Sequence, residues 1–434
     1  MLTSLMVINM KLKNNNSFKN YQIIIFLVAF VCLIIFGWKV FRYHRAYVEV
    51  PTQFKTEICD NYAQDNLALN AKAAIIYDLK SGQIMYAKNI KQKLPVASMS
   101  KLLTIYLTLK AIKAGKLSWQ TKVMPSREAI AVSKNPEYSN VPLQLGHQYT
   151  IKQLYQATLI QSANGAAMVL ASAVAGSSKK FVGMMRKQLL DWHISQAQIV
   201  TPSGLPNFTL GRDADSNKNA DAENELSASD MGILIKHLLL EFPQVLETTR
   251  IAKLDFLDGR KTFKMVNWNL MLKGLSQYNE AYPVDGLKTG TTDAAGACLA
   301  STLVKNGRRI VTVIIGARHL NGSDPARFVE TKKLYAYFYN NYSLHIYKRW
   351  TQFPDKTLIK VKNRTINEVR ACLYQDTGIW ISKGQKLDAE LSMNKMPMPI
   401  KVGTNIGKLI FPNIPALNNE NALAFDATTS KELK

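Results

Sequence analysis

A chain of 434 residues exceeds one average domain, so two folded units with appendages are expected. Apolar residues make up 47% and charged residues 20%, a balance that excludes an intrinsically disordered chain. The 55 Lys and Arg outnumber 31 Asp and Glu, and the resulting +24 favours anionic partners such as lipid or wall polymer; with no zinc-finger spacing and no basic stripe interleaved with aromatics, nucleic acid is not expected.

The first element is the apolar run from Tyr21 to Val40, with no charge between Lys19 and Lys39. At about 1.5 Å per helical residue it just spans a hydrocarbon core of roughly 30 Å. No A-x-A-like site follows, which favours an uncleaved signal anchor over 21–40 rather than a cleaved signal peptide. Lysines and arginines flank both ends, so charge does not orient it. Residues 41–66 read as a linker. Ala73–Asp78 and Gln83–Lys88 then predict a strand, turn and strand. Helices follow over Ser98–Ala114, from Thr150 through IKQLYQATLIQ, over Ala166–Ala175, and after a Ser229-Asp230 cap. Ala297–Lys305 and Arg309–Ala317, joined by Asn306-Gly307, predict a β-hairpin, and Arg327–Tyr339 a last helix. Beyond about residue 345, TLIKVKN, EVRACLYQ, GIWISKG, PIKVG and GKLIF predict a small all-β domain over 345–420, and 421–434 reads as a tail.

Three short motifs carry chemistry. Ser98-Met99-Ser100-Lys101 puts a hydroxyl and an amine one helical turn apart, on one face. A desolvated amine beside other cations can act as the base that a serine nucleophile needs. By itself the pattern is weak, since Ser177 and Lys180 repeat it at what reads as an ordinary helix start. Ser162-Ala163-Asn164 falls between two helices, where it supplies either a proton relay and a peptide-binding amide or simply a helix cap. Lys288-Thr289-Gly290 precedes the hairpin and offers a fixed cation, a hydroxyl and a glycine that permits close approach, or else a plain strand-edge turn. S-x-x-K, S-x-N and K-T-G in this order, each on its expected element, point to a serine acyl-transfer site.

On these residues the chain resembles the D-alanyl-D-alanine carboxypeptidase family of low-molecular-mass penicillin-binding proteins, from about residue 67 to the end. Pro95-Val96-Ala97, Thr201-Pro202-Ser203-Gly204-Leu205, Val284-Asp285-Gly286-Leu287 and Thr291-Thr292 extend the likeness. The resemblance implies an α+β penicillin-binding, β-lactamase-like transpeptidase fold over 67–340: an antiparallel sheet flanked by helices, an all-α subdomain, and a C-terminal β-rich domain. It further implies Ser98 as the acylated nucleophile, Lys101 as its general base and Ser162 as a proton shuttle. Asn164 would bind the substrate peptide, and Lys288, Thr289, Gly290 and Thr291 would engage the terminal carboxylate and its surroundings. Backbone N–H groups of Ser98 and Thr291 would form an oxyanion hole, each donor worth about 3 kcal/mol. Arg327 resembles a family arginine that pairs with the carboxylate, against its plain reading as a surface helix arginine. The implied partners are a peptidoglycan stem peptide ending in D-Ala-D-Ala, β-lactams as inhibitors, and the membrane. An external substrate would leave 1–20 as a cytoplasmic tail of a single-pass protein with an extracellular catalytic domain.

Rival functions use the same residues. A class A β-lactamase needs a carboxylate for deacylation, and its Glu-x-x-Leu-Asn is absent; Glu223 and Glu225, in the polar run GRDADSNKNADAENEL, read as solvated loop. A DD-endopeptidase or transpeptidase differs only in bond or acceptor, and a non-catalytic wall-binding scaffold would keep the fold. The mechanism needs no cofactor, and six scattered histidines show no metal-ligand spacing. Four cysteines form no CxxC; most read as small apolar residues, and a Cys59–Cys372 disulfide stays open with nothing to support it.

Overall fold

The computed structural model describes residues 25–35, 57, 59–63, 67–318, 325–353, 356–360, 368–394, 396, 398–418 and 421–433. A five-stranded antiparallel sheet forms the centre, built from β1 (Ala73–Asp78), β2 (Ile84–Lys88), β3 (Gly286–Thr292), β4 (Gly296–Lys305) and β5 (Arg308–Ala317) in the order β2-β1-β5-β4-β3. All six residues of β1 are buried, and their alternation explains the unbroken apolar run. Ala73, Ile75 and Tyr77 join one core, while Ala74 and Ile76 join a second on the opposite face. The hairpin turn has both Asn306 (φ 50°) and Gly307 (φ 72°) in the left-handed region, the conformation for which Asn-Gly is suited.

On the first face lie helices α1 (Lys101–Lys113), α2 (Arg127–Lys134), α3 (Ile151–Ile160), α4 (Asn164–Ala175), α5 (Ser178–Asp191) and α6 (Ala228–Glu241). Thr150 starts α3 through a capping box with Gln153. α6 begins earlier than expected: Ser227 is the N-cap, and Asp230 closes the box rather than capping. α7 (Ala326–Asn341) covers the second face with Phe328, Leu334, Tyr335 and Phe338.

The β-rich region starts at β6 (Tyr342–Tyr347) and continues with β7 (Leu358–Lys360), β8 (Glu368–Leu373), β9 (Thr377–Ser382), β10 (Glu390–Met393), β11 (Gly407–Pro415) and β12 (Ala422–Thr429). β6 pairs with β9, and the others form a sheet in the order β7-β8-β12-β11-β10. Two expectations need correction. Residues 421–434, read as a tail from their polar composition, contain β12, which lies between β8 and β11. PIKVG forms no strand, only an isolated bridge from Ile400 to Leu433. Trp380 seats this region on the central sheet: its ring packs on Phe338, its indole N–H donates to Asp78 (3.0 Å), and its backbone N–H donates to Gln83 (2.9 Å). The strand register puts Asp78 and Thr291 at opposite ends of the sheet.

Residues 25–35 are helical with exposed apolar side chains, and the remainder of the expected 21–40 span lies outside the described residues. Among the described residues no helix is long and apolar enough to cross a membrane.

Candidate active site

The S-x-x-K segment is a 3₁₀ turn, Ala97–Ser100, running directly into α1 at Lys101. Residues three apart eclipse one another on such a turn, which brings the amine onto the hydroxyl. Ala97 has a left-handed backbone (φ 47°), a strained conformation for alanine just ahead of Ser98. Gly204 makes this packing possible, because a Cβ there would fall 2.0 Å from the carbonyl oxygen of Ala97.

Lys101 is fully buried, and its Nζ lies 2.7 Å from each of three oxygens: Ser98 Oγ, Asn164 Oδ1 and the carbonyl of Ser203. The last two only accept hydrogen bonds, so they take two N–H groups of a neutral amine. That leaves its lone pair for the Ser98 hydroxyl. Burial, and then the nearby Lys288, hold Lys101 well below the usual lysine range, a shift toward the neutral form.

The S-x-N loop separates α3 from α4. Ala163 is the N-cap of α4 and makes no side-chain cap bond, so Ser162 and Asn164 are not spent on capping. Ser162 holds φ 57°, and its hydroxyl borders the cavity with no protein hydrogen-bond partner among the described residues. Asn164 is largely committed to the protein: Oδ1 accepts from Lys101, and Nδ2 donates to the Ser139 carbonyl (2.9 Å). One amide hydrogen is left for a ligand.

K-T-G occupies β3. Lys288 is buried and donates to the Thr289 carbonyl (3.0 Å); burial, and then Arg327, push it down to about 7. No hydrogen bond joins it to Ser162. Gly290 serves a contact that sequence alone did not suggest: a Cβ there would lie 2.6 Å from the Val96 carbonyl and 3.2 Å from the Ser98 nitrogen. It lets β3 press against the 3₁₀ turn that carries Ser98. Arg327, on α7, is not a surface residue. It is 6% exposed and donates to the Gly290 carbonyl (2.8 Å) and to Thr291 Oγ1 (2.6 Å).

Ser98, Ser162, Asn164, Thr289, Thr291 and Arg327 all line one cavity of about 670 Å³. Its walls include residues that sequence reasoning did not select, namely Tyr138, Ser139, Leu205, Trp268 and Leu270. None belongs to a motif of charged or nucleophilic groups, although Leu205 ends the quoted TPSGL run. The polar run before α6 is also unlike its expectation. Glu223 and Asn224 are buried, and Glu223 accepts a hydrogen bond from Thr292 Oγ1 (2.7 Å).

The model of D-alanyl-D-alanine carboxypeptidases, peptidase family S11, matches residues 60–319. D-alanyl-D-alanine carboxypeptidase DacF of Bacillus subtilis is 27% identical over 370 residues, covering 83% of this chain and 85% of that one. Among solved structures, PBP3 from Streptococcus pneumoniae, a peptidoglycan synthesis regulatory factor, is 32% identical with a TM-score of 0.68, covering 84% of this chain and 99% of that one. Penicillin binding protein 5 from Haemophilus influenzae is 25% identical with a TM-score of 0.64, covering 85% and 99%. The architecture is thus the penicillin-binding fold with a C-terminal β domain, and the chain belongs to the D-alanyl-D-alanine carboxypeptidase family.

Proposed function

We propose that this protein is a serine-type D-Ala-D-Ala carboxypeptidase that removes the terminal D-Ala from peptidoglycan stem pentapeptides and is acylated by β-lactams at the same residue. Ser98 Oγ attacks the carbonyl of the penultimate D-Ala as its proton passes to Lys101 Nζ. The tetrahedral oxyanion sits on the backbone N–H groups of Ser98 and Thr291. The C–N bond breaks, the leaving D-Ala amine takes a proton through Ser162, and water then hydrolyses the Ser98 ester. Lys288, Thr289 and Arg327 favour the substrate's terminal carboxylate, Arg327 partly by fixing Thr291. Asn164 orients the Lys101 amine and offers its remaining amide hydrogen to the peptide.

The observation that carries this reading is the environment of the Lys101 amine: buried, 2.7 Å from Ser98 Oγ, with two pure acceptors on its other sides. Glu223 is not placed as a β-lactamase's deacylating base, since its carboxylate is bonded to Thr292 and it is not among the residues lining the cavity. Anchoring by residues 21–40, with the peptidase domain outside the cell, completes the proposal. It is supported by the apolar run and by the exposed apolar helix over 25–35.

Release of D-Ala from a pentapeptide tests the activity. Lys101→Met, which keeps the bulk and removes the base, is expected to slow release about 10²- to 10⁴-fold. A Lys101→Met protein working at the wild-type rate would remove the base from the mechanism. Cleavage of a cross-linked dimer with no D-Ala release from pentapeptide would make it an endopeptidase.

A further inference from the structure

Residues 223–226 match none of the three motifs, yet they touch the end of β3, the approach to Ser98 and the segment that leads to Ser203. Glu223 accepts from Thr292 Oγ1 (2.7 Å), and the same oxygen accepts the Ala295 N–H (3.0 Å), which ties down the chain where β3 ends. The Asn224 carbonyl accepts the Val96 N–H (3.1 Å), two residues before Ser98. The Asn224 side chain accepts from Val200 N (2.7 Å) and Thr201 N (3.1 Å) and donates to the Thr201 carbonyl (2.8 Å). That fixes the segment whose Ser203 carbonyl takes the Lys101 amine. Glu225 and Leu226 pair with Pro95 and Leu94.

We propose that Glu223 is a positioning residue for acyl transfer: through the Thr292 hydroxyl it sets the end of β3, and hence the Thr291 N–H, relative to the nucleophile turn that Asn224 holds from the other side. The inference rests on the acyl-transfer reading above. A buried carboxylate that only filled space would be costly to retain. Burial raises the Glu223 carboxyl above the usual range, against the opposing Thr292 hydrogen bond and with Asp293 and Glu225 adding to the rise. What the geometry uses is its acceptor oxygen, which a glutamine also supplies.

Time-resolved labelling by a fluorescent penicillin, over a range of concentrations, separates the acylation rate constant from apparent binding. Glu223→Ala is expected to lower the acylation constant about 10-fold with binding unchanged, the scale of a sub-ångström misplacement. Glu223→Gln should restore the rate. Thr292→Val, which also releases the Ala295 N–H, should be at least as slow as Glu223→Ala, and the double variant should be no slower than Thr292→Val, because the Glu223–Thr292 bond is already gone in that single variant. Thermal melts of each variant identify the folded protein. Wild-type acylation by Glu223→Ala, a glutamine variant as slow as the alanine one, or additive losses in the double variant each overturns the inference. A wild-type protein that takes no label overturns the acyl-transfer reading itself, and this inference with it.

Discussion

Replacing Gly290 by alanine tests whether β3 and the nucleophile turn must be in backbone contact. The new Cβ would sit 2.6 Å from the Val96 carbonyl oxygen, about 0.8 Å short of the 3.4 Å at which ordinary contact begins, and 3.2 Å from the nitrogens of Ser98 and Met99. The three nearest atoms are all backbone, so the closest contacts cannot be relieved by a flexible side chain. The Val96 carbonyl is also held by the Met99 N–H at 3.1 Å. The two segments must therefore part by a large fraction of an ångström, which shifts Ser98 relative to Thr291. A displacement of this size costs on the order of 10- to 100-fold in rate. Overpacking of this kind costs about 1–3 kcal/mol of stability, so the fold survives. The assay is the acylation rate by labelled penicillin with a thermal melt of the same sample. Gly183→Ala, whose Cβ meets nothing within 4 Å, serves as control and should acylate normally. A folded Gly290→Ala protein that acylates within about twofold of wild type would refute the argument that this contact sets the geometry.

Two other outcomes follow from the buried cations and the domain contact. Lys288, pushed down to about 7, carries its charge below that pH and loses it as pH rises through it, so kcat/KM should fall on the alkaline side of about pH 7. In kcat the same limb should move upward, because a bound carboxylate stabilises the ammonium; a kcat/KM that keeps rising well above about pH 7 would exclude a required Lys288 cation. Trp380→Ala should lower stability by about 3–5 kcal/mol, through the cavity it leaves against Phe338. The folded fraction should still acylate at the wild-type rate, since Asp78, which the indole bonds, lies at the sheet end away from Thr291; calorimetry and labelling together check both halves.

The parts legible in the sequence were those fixed by local chemistry. Asn306-Gly307 specifies its turn wherever the flanking strands lie, and Thr150 with Gln153 marks a helix start within four residues. The three motifs were readable because each is short and sits on one element; their convergence on one cavity is a tertiary fact. Where burial is decided by a distant partner, composition misled. Glu223 belongs to a polar run and reads as solvated, but Thr292, far along the chain, supplies the bond that buries it. β12 is polar enough to pass for a tail, yet its neighbours β8 and β11 make it an interior strand. Ser229-Asp230 looked like a cap, and the geometry instead uses Ser227 two residues earlier. Trp268 forms a cavity wall while its indole donates to the Gln161 carbonyl (3.1 Å), a contact between segments that no local pattern announces.

Mapping the covalent adduct after penicillin treatment tests the central claim most directly. Digestion after lysine gives the peptide 94–101, and fragmentation distinguishes Ser98 from Ser100, whose hydroxyl is engaged with the Ala97 carbonyl at 2.7 Å. The account predicts one penicilloyl group on Ser98, absent in Ser98→Ala. An adduct on Ser162 or any other residue, or an unmodified protein, would contradict it.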